Sequence, residues 1–172
     1  MNISLTIKKI VLRSWAVVRP YGQKTKWFIM VRFPQILSKN ELLKLTPINA
    51  STIEWIKKKK RKVTIIIPIY KDIRLTTRCI KSILKDTNRP SNLRILVVDD
   101  GSPPQYQKML LKLKSKNVEI LLKDKNEGYS KSINFALKKI KKGDVIVLNN
   151  DTVCFKNWII LLQASAYKSK EI

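Results

Sequence analysis

The chain has 172 residues, 44% of them hydrophobic, with 36 Lys and Arg against 12 Asp and Glu for a formal net charge of +24. That length and apolar content suffice for one buried core and argue against a disordered chain, while the lack of His and the presence of two distant Cys exclude structural zinc, a His-based nucleophilic triad and a disulfide framework. The positive excess favours phosphate-rich partners, whether nucleic acid, anionic lipid or nucleotide, without choosing among them.

The more basic part comes first, since residues 1–62 carry 15 basic and 2 acidic residues. Ile3, Ile7, Ile10, Val11, Trp15 and Val18 recur near helical spacing beside Lys8, Lys9, Arg13 and Arg19, which predicts a cationic amphipathic helix over residues 1–19. Such a helix can lie on an anionic membrane surface, or pack its apolar stripe on the rest of the chain or on a partner subunit. With no run of about eighteen apolar residues and no secretory signal, the sequence predicts a cytoplasmic protein, peripheral on the inner face of the cell membrane if that helix binds lipid. Cys79 and Cys154, each in an apolar setting, fit buried reduced thiols in that compartment. Residues 20–50, with Pro20, Pro34 and Pro47, read as irregular apart from a short helix over Asn40–Leu45. The stretch "STIEWI", Ser51–Ile56, reads as a helical turn with Ser51 as N-cap and Glu54 three residues on. The run "KKKKRK", Lys57–Lys62, reads as a solvated linker and sets a predicted boundary between a basic, partly helical N-terminal segment (1–62) and a domain at 63–172.

From Val63 the pattern becomes regular. Four apolar runs of strand length, "VTIIIPI", "LRILVV", "VEILL" and "DVIVLN", alternate with helical periodicity over Leu75–Asp86, Pro103–Lys114, Tyr129–Lys141 and Asn157–Lys168. Near-continuous Val, Ile and Leu in strands separated by helices predict an open, mostly parallel α/β sheet with helices on both faces. In such sheets ligands bind outside the carboxyl ends of the strands.

Polar and turn residues gather at those ends. Pro68, Tyr70 and Asp72 follow the first run, Asp99, Asp100 and Gly101 the second, Asn126, Glu127 and Gly128 the third, and Asn149, Asn150 and Asp151 the fourth. Each alone has an ordinary reading as a strand end, turn or cap; four on one edge point to a site. Two adjacent carboxylates, Asp99 and Asp100, would repel unless backbone N–H groups or a ligand supply donors. A carboxylate can accept the imino N–H of uracil or thymine, and Tyr70 can stack on such a ring. Asp151 is a hard oxygen ligand suited to Mg2+ or Mn2+, which binds one or two carboxylates together with substrate phosphates. No G-x-G-x-x-G follows the first strand and no G-x-x-x-x-G-K-[ST] occurs, which removes the dinucleotide and P-loop readings. Nucleic acid is set aside as a partner, because neither an aromatic platform nor a recognition helix is present.

Taken together, "VTIIIPIYKD" (63–72), "ILVVDDGSPP" (95–104), "NEGYSKSINFAL" (126–137) and "GDVIVLNNDTV" followed by Trp158 resemble the family 2 glycosyltransferases of the GT-A fold, in the family's order and spacing. The resemblance covers residues 63–172. It implies a nucleotide-diphospho-sugar donor, a UDP- or dTDP-sugar, with Pro68 and Tyr70 bordering the base, Asp100 contacting it and Asp99 shaping the same pocket. It further implies that Gly128, Asn134 and Asn150 line the donor crevice and that Asp151, last of a D-x-D-like triplet that here reads Asn149, Asn150, Asp151, holds Mg2+ or Mn2+. Inverting sugar transfer in cell-envelope polysaccharide synthesis is the implied role, "LNNDT" being a form shared with rhamnosyl and related transferases. Members of the family continue into an acceptor half that carries the base, so the expectation for this chain is a donor half, with a partner chain able to supply the rest. The competing expectation is an inactive remnant that binds a membrane or partner through residues 1–62.

Overall fold

The computed structural model describes residues 28–31 and 50–167. In chain order these form β1 (Phe28–Val31), α1 (Ala50–Lys59), β2 (Val63–Ile69), α2 (Ile73–Lys85), β3 (Leu93–Asp99), α3 (Pro104–Leu111), β4 (Val118–Leu122), α4 (Tyr129–Leu137), β5 (Asp144–Leu148) and α5 (Trp158–Ala166). The sheet order is β1-β5-β2-β3-β4 and every neighbouring pair is parallel. The predicted open α/β sheet is therefore present in β2–β5, and β1 adds a fifth strand at the edge. The amphipathic helix expected over residues 1–19, the short helix at Asn40–Leu45 and the end of the last predicted helix at Lys168 lie outside the described residues.

Strand alternation builds two cores. Ile65, Ile67, Ile95, Val97, Ile146 and Leu148 point to the face covered by α2, α3 and α5, while Ile66, Leu96, Val98, Val145 and Val147 point to the face covered by α4. Helix α2 buries Thr76, Cys79, Ile80 and Ile83, a stripe at helical spacing, and Asp72 caps its start by accepting the Leu75 N–H at 3.0 Å. That cap starts the helix two residues ahead of the predicted Leu75. Helices α3 and α4 end earlier than their periodicity suggests, because Leu113, Lys114, Lys139 and Ile140 donate their N–H groups three residues back and tighten the chain into turns. Helix α5 is apolar nearly all round, burying Trp158, Ile159, Ile160, Leu162 and Ala164, because α1 packs on its outer side and contributes buried Ile56.

Three readings of the basic segment are corrected. Residues 28–31 are a strand and not irregular chain, because β5 offers its free edge as a parallel partner, register Phe28↔Val145 to Val31↔Leu148. Helix α1 begins at Ala50, so Ser51 lies inside it and is not its N-cap. Lys57–Lys59 of the basic run are exposed as expected but form the last turn of α1 and not a linker, and Arg61 beyond them is anchored: its Nε donates to Asp144 at 3.1 Å, and its guanidinium lies 4.6 Å from the Tyr167 ring.

The sheet opens where the topology reverses. From β2 the chain moves outward to β3 and β4, then returns to place β5 on the other side of β2, which makes the β2–β5 gap the switch point. Pairing of β2 with β3 runs to Ile69↔Asp99, but pairing with β5 stops at Ile66↔Val147. The Ile69 carbonyl accepts the Asp100 N–H at 2.9 Å, on the β3 side. By alternation Pro68 turns its backbone toward β5, where it has no N–H to offer, and the ladder ends.

Candidate active site at the carboxyl edge

Asp99 and Asp100 avoid repulsion by facing opposite ways. As consecutive residues at a strand end their side chains leave the sheet on opposite faces. Asp99, 1% exposed, turns to the α3 side and accepts the Ser102 N–H and the Gln107 Nε2–H, each at 3.0 Å. Asp100, 6% exposed, turns to the α4 side and accepts from Lys123 Nζ at 2.6 Å, Glu127 N–H at 3.0 Å and Gly128 N–H at 2.7 Å. Burial alone would raise the Asp100 pKa, but the Lys123 ammonium and the Glu127 and Gly128 amides outweigh it and bring it down to about 2. Asp100 is thus a fixed anion that holds the β4–α4 loop to the end of β3.

Lys123 completes this arrangement. Its side chain is 6% exposed, it pairs also with Glu127 at 3.1 Å and donates to Ser132 Oγ at 3.3 Å. Burial works against its charge, yet Asp100 and Glu127 hold its pKa above the ordinary lysine value. The sequence reading passed over it, because one lysine after a strand carries no mark among 36 basic residues. The only available signal was its place directly behind "VEILL" on the same edge as the aspartates.

The β2 loop is tied to the β3 loop. Lys71, with φ of 64°, donates its N–H to Ser102 Oγ at 2.8 Å. This leaves Tyr70 45% exposed at the edge, with the Lys71 ammonium 4.6 Å from its ring centroid. Gly101 is required here: its φ is 70°, and a Cβ would stand 2.3 Å from the Lys125 carbonyl carbon.

At the end of β5 the chain again splits by face. Asn149 turns to the α4 side, where the Tyr129 hydroxyl bonds its Oδ1 at 3.2 Å, and Asn150 turns to the α2 side, where its Nδ2 donates to Thr76 Oγ1 at 3.3 Å. Asp151 is exposed and has no hydrogen-bond or ion-pair partner among the described residues. Gly128, with φ of 93°, is the N-cap of α4 and links Asp100 to Tyr129 and so to Asn149. The structure therefore gathers Tyr70, Asp99, Asp100, Gly128, Asn150 and Asp151 on one edge, with Pro68 buried just beneath. Asn134 is not joined to them: it sits on the exposed face of α4 with Lys131 and Lys138, more than a turn beyond Gly128.

Among the described residues no group of three or more His, Cys, Asp or Glu side chains converges on a metal site. Mg2+ and Mn2+ do not need one, since a single carboxylate with substrate phosphates is their usual arrangement at nucleotide sites. The unpartnered Asp151 carboxylate fits that donor set.

A sequence profile, Glycosyl transferase family 2, matches residues 64–171. The chain belongs to this family. An uncharacterized glycosyltransferase of Mycoplasma genitalium is 32% identical over 116 residues, covering 63% of this chain and 38% of the relative. Residues 1–349 of S. aureus TarS, solved in complex with UDP-GlcNAc, superpose with a TM-score of 0.52 at 27% identity, over 61% of this chain and 30% of that one. A mannosyltransferase of Pyrobaculum calidifontis, PcManGT, in complex with GDP-Man and Mn2+, gives a TM-score of 0.53 at 16% identity, over 67% of this chain and 40% of that one, a likeness of fold. The fold is thus GT-A, and the family 2 chain spans well under half the length of each of these relatives.

Proposed function

We propose that residues 63–167 are the donor half of a glycosyltransferase, binding a UDP- or dTDP-sugar at the carboxyl edge for inverting transfer in cell-envelope polysaccharide synthesis. The observation that carries this reading is the parting of β2 and β5 after Ile66 and Val147, which leaves an exposed aromatic ring, Tyr70, on one strand end and an exposed carboxylate, Asp151, on the other. Tyr70 offers its ring to the pyrimidine. Asp100 holds the loop beside the base through Lys123 and the Glu127 and Gly128 N–H groups, and its Oδ2, which accepts from Gly128, is the atom assigned to the imino N–H. Asp99 keeps the Ser102 turn in place, and through Ser102 Oγ the loop that carries Tyr70. Gly128 opens α4 beside the crevice, and Asn150 is held at its rim by its amide N–H on Thr76; Asn134, on the outer face of α4, is left out of this donor site.

Asp151 would hold Mg2+ or Mn2+. When bound, the ion neutralises charge on the departing diphosphate. The base for the acceptor hydroxyl is assigned to an acceptor half or partner chain, since the carboxylates nearest the crevice are engaged (Asp72 caps α2, Asp99 and Asp100 hold loops, and Glu127 pairs with Lys123 and Lys131) and the exposed Asp124 follows the outermost strand, β4, two strands from β2. Among the described residues no helix is long and apolar enough to cross a membrane; contact with an anionic membrane surface is assigned to residues 1–19.

Calorimetry with UDP, dTDP and uridine in Mn2+ tests the assignment. Asp151→Ala is expected to weaken diphosphate binding by about tenfold or more and to leave uridine binding unchanged. Equal losses for nucleoside and nucleoside diphosphate would remove Asp151 from the phosphate side.

A further inference from the structure

At the opposite, amino-terminal edge of the sheet lies a cavity of about 230 Å³ between the end of α1, the α2–β3 loop and α5. Its charged lining is wholly cationic: Lys57 and Lys60 from α1 and the residue after it, Arg61, and Arg89 from the loop. Asn88, Ser91, Asn92 and Gln163 add neutral hydrogen-bonding groups, and Ile56, Pro90 and Ile160 form an apolar wall.

The cations are not equivalent. Arg61 is balanced by Asp144, whose carboxylate also accepts from Gln163 Nε2 at 2.8 Å and from the Tyr167 hydroxyl. Arg89 is held in place by donating from one Nη to the carbonyls of Leu84 at 2.9 Å and Asp86 at 3.0 Å. The nearby Asp86 carboxylate is itself occupied, accepting the N–H groups of Asn88 and Asn157 at 3.0 Å and 2.8 Å. Lys57 and Lys60 have no carboxylate partner among the described residues. Their charge, with that of the immobilised Arg89, faces the cavity uncompensated.

Lys60 is also held in a strained backbone. Its φ is 44°, a region that favours glycine, and Asn92 Nδ2 fixes its carbonyl at 2.8 Å. Lys60 stands directly after the last residue of α1, where helices commonly close in the left-handed conformation with glycine, so a lysine there lines the cavity at a position that glycine would fill without strain.

We propose that this cavity is a second ligand site, separate from the donor crevice, that binds a phosphate group. Lys57 and Lys60 supply the charge, and Arg89 supplies directed donors from the nitrogens not committed to Leu84 and Asp86; the Asn88 and Asn92 amides, which donate one hydrogen to Asn157 Oδ1 and to the Lys60 carbonyl, each keep a second. A volume of about 230 Å³, nearly eight times the roughly 30 Å³ share of one liquid water, admits a phosphate or phosphomonoester. The phosphate can arrive free or as a lipid headgroup, and the cavity chemistry is the same for both.

Lys60→Gly tests this without endangering the fold, because glycine relaxes the left-handed backbone while removing the charge. In a ¹H–¹⁵N NMR titration of the full chain with inorganic phosphate, saturable shifts are expected at residues 57–61 and 88–92, apart from any at 70–72 and 149–151. Lys60→Gly should bind about fivefold more weakly and the Lys57→Gln, Lys60→Gly pair about tenfold or more, with thermal midpoints no lower than that of the parent chain. Vesicles of phosphatidylcholine with and without phosphatidic acid separate the two sources: retention that needs phosphatidic acid and is competed by phosphate marks a headgroup, and phosphate binding without retention marks a free ligand. Absence of saturable shifts at 57–61 and 88–92 with no competed retention, or undiminished binding by the double variant, overturns the proposal.

Discussion

At the carboxyl edge a lysine with 6% of its side chain exposed bridges Asp100 and Glu127, whereas at the amino edge Arg61, 27% exposed, lies between the Asp144 carboxylate and the Tyr167 ring. Both pairs hold a helix or loop to a strand end, but they differ in what surrounds them. Lys123 and Asp100 are shut away between β4, α4 and the β3 end, so neither has water to fall back on. Arg61 keeps part of its guanidinium in solvent, and Asp144 retains two neutral donors, Gln163 and Tyr167. The comparison teaches that an ion pair counts for what is left behind when one partner goes: loss of Lys123 strands two carboxylates, Asp100 and Glu127, while loss of Arg61 strands one, Asp144, which is as buried as Asp100 but keeps the Gln163 and Tyr167 donors.

The largest expected effect follows from stranding Asp100. Lys123→Ala should cost about 3–5 kcal/mol of stability in chemical denaturation and loosen the loop at residues 126–128, with hydrogen exchange faster there than in the rest of the sheet. A loss below about 1 kcal/mol would mean that water reaches the pair and the two edges are alike.

Acid provides the next test. The Asp100 pKa is lowered to about 2 from an ordinary carboxylate value, so its contribution to stability is complete above the unfolded pKa near 4 and is lost as pH falls toward 2. The shift corresponds to about 2 kcal/mol. Asp100→Asn should flatten the stability profile between about pH 4 and 2; an unchanged profile would assign that acid sensitivity elsewhere.

The smallest effect is expected at the amino edge. Arg61→Ala should cost about 1–2 kcal/mol, less than half the loss at Lys123, and should do so by loosening α1 and α5 with no change in nucleotide binding. Equal losses at the two edges would dissolve the contrast.

Much of the fold was legible because burial on both faces leaves a mark in the chain. Val63–Ile69 matches its strand residue for residue, since a central parallel strand tolerates little but β-branched and aliphatic side chains, and Val118–Leu122 matches as well, at the partly buried edge of the sheet. Strand β1 escaped notice because a four-residue run among prolines has no meaning until β5 lies beside it. The lysine run was read correctly as solvated, Lys57–Lys60 being exposed, but not as helix, because the helix that ends there depends on Ile56 packing against α5.

What the sequence by itself determined is the set of elements and the polar residues that end each strand, because period and turn chemistry are local properties of the chain. Only the tertiary structure decided the roles within that set. Alternation at the end of β3 sends Asp99 to α3 and Asp100 to Lys123, and alternation at the end of β5 sends Asn149 to Tyr129 and Asn150 to Thr76. It leaves Asp151 alone unpaired in the triplet and Asn134 on the outer face of α4. A charge is structural or available according to which groups meet it, and its partners, 23 residues away for Asp100 and Lys123, are chosen by the crossing of the chain.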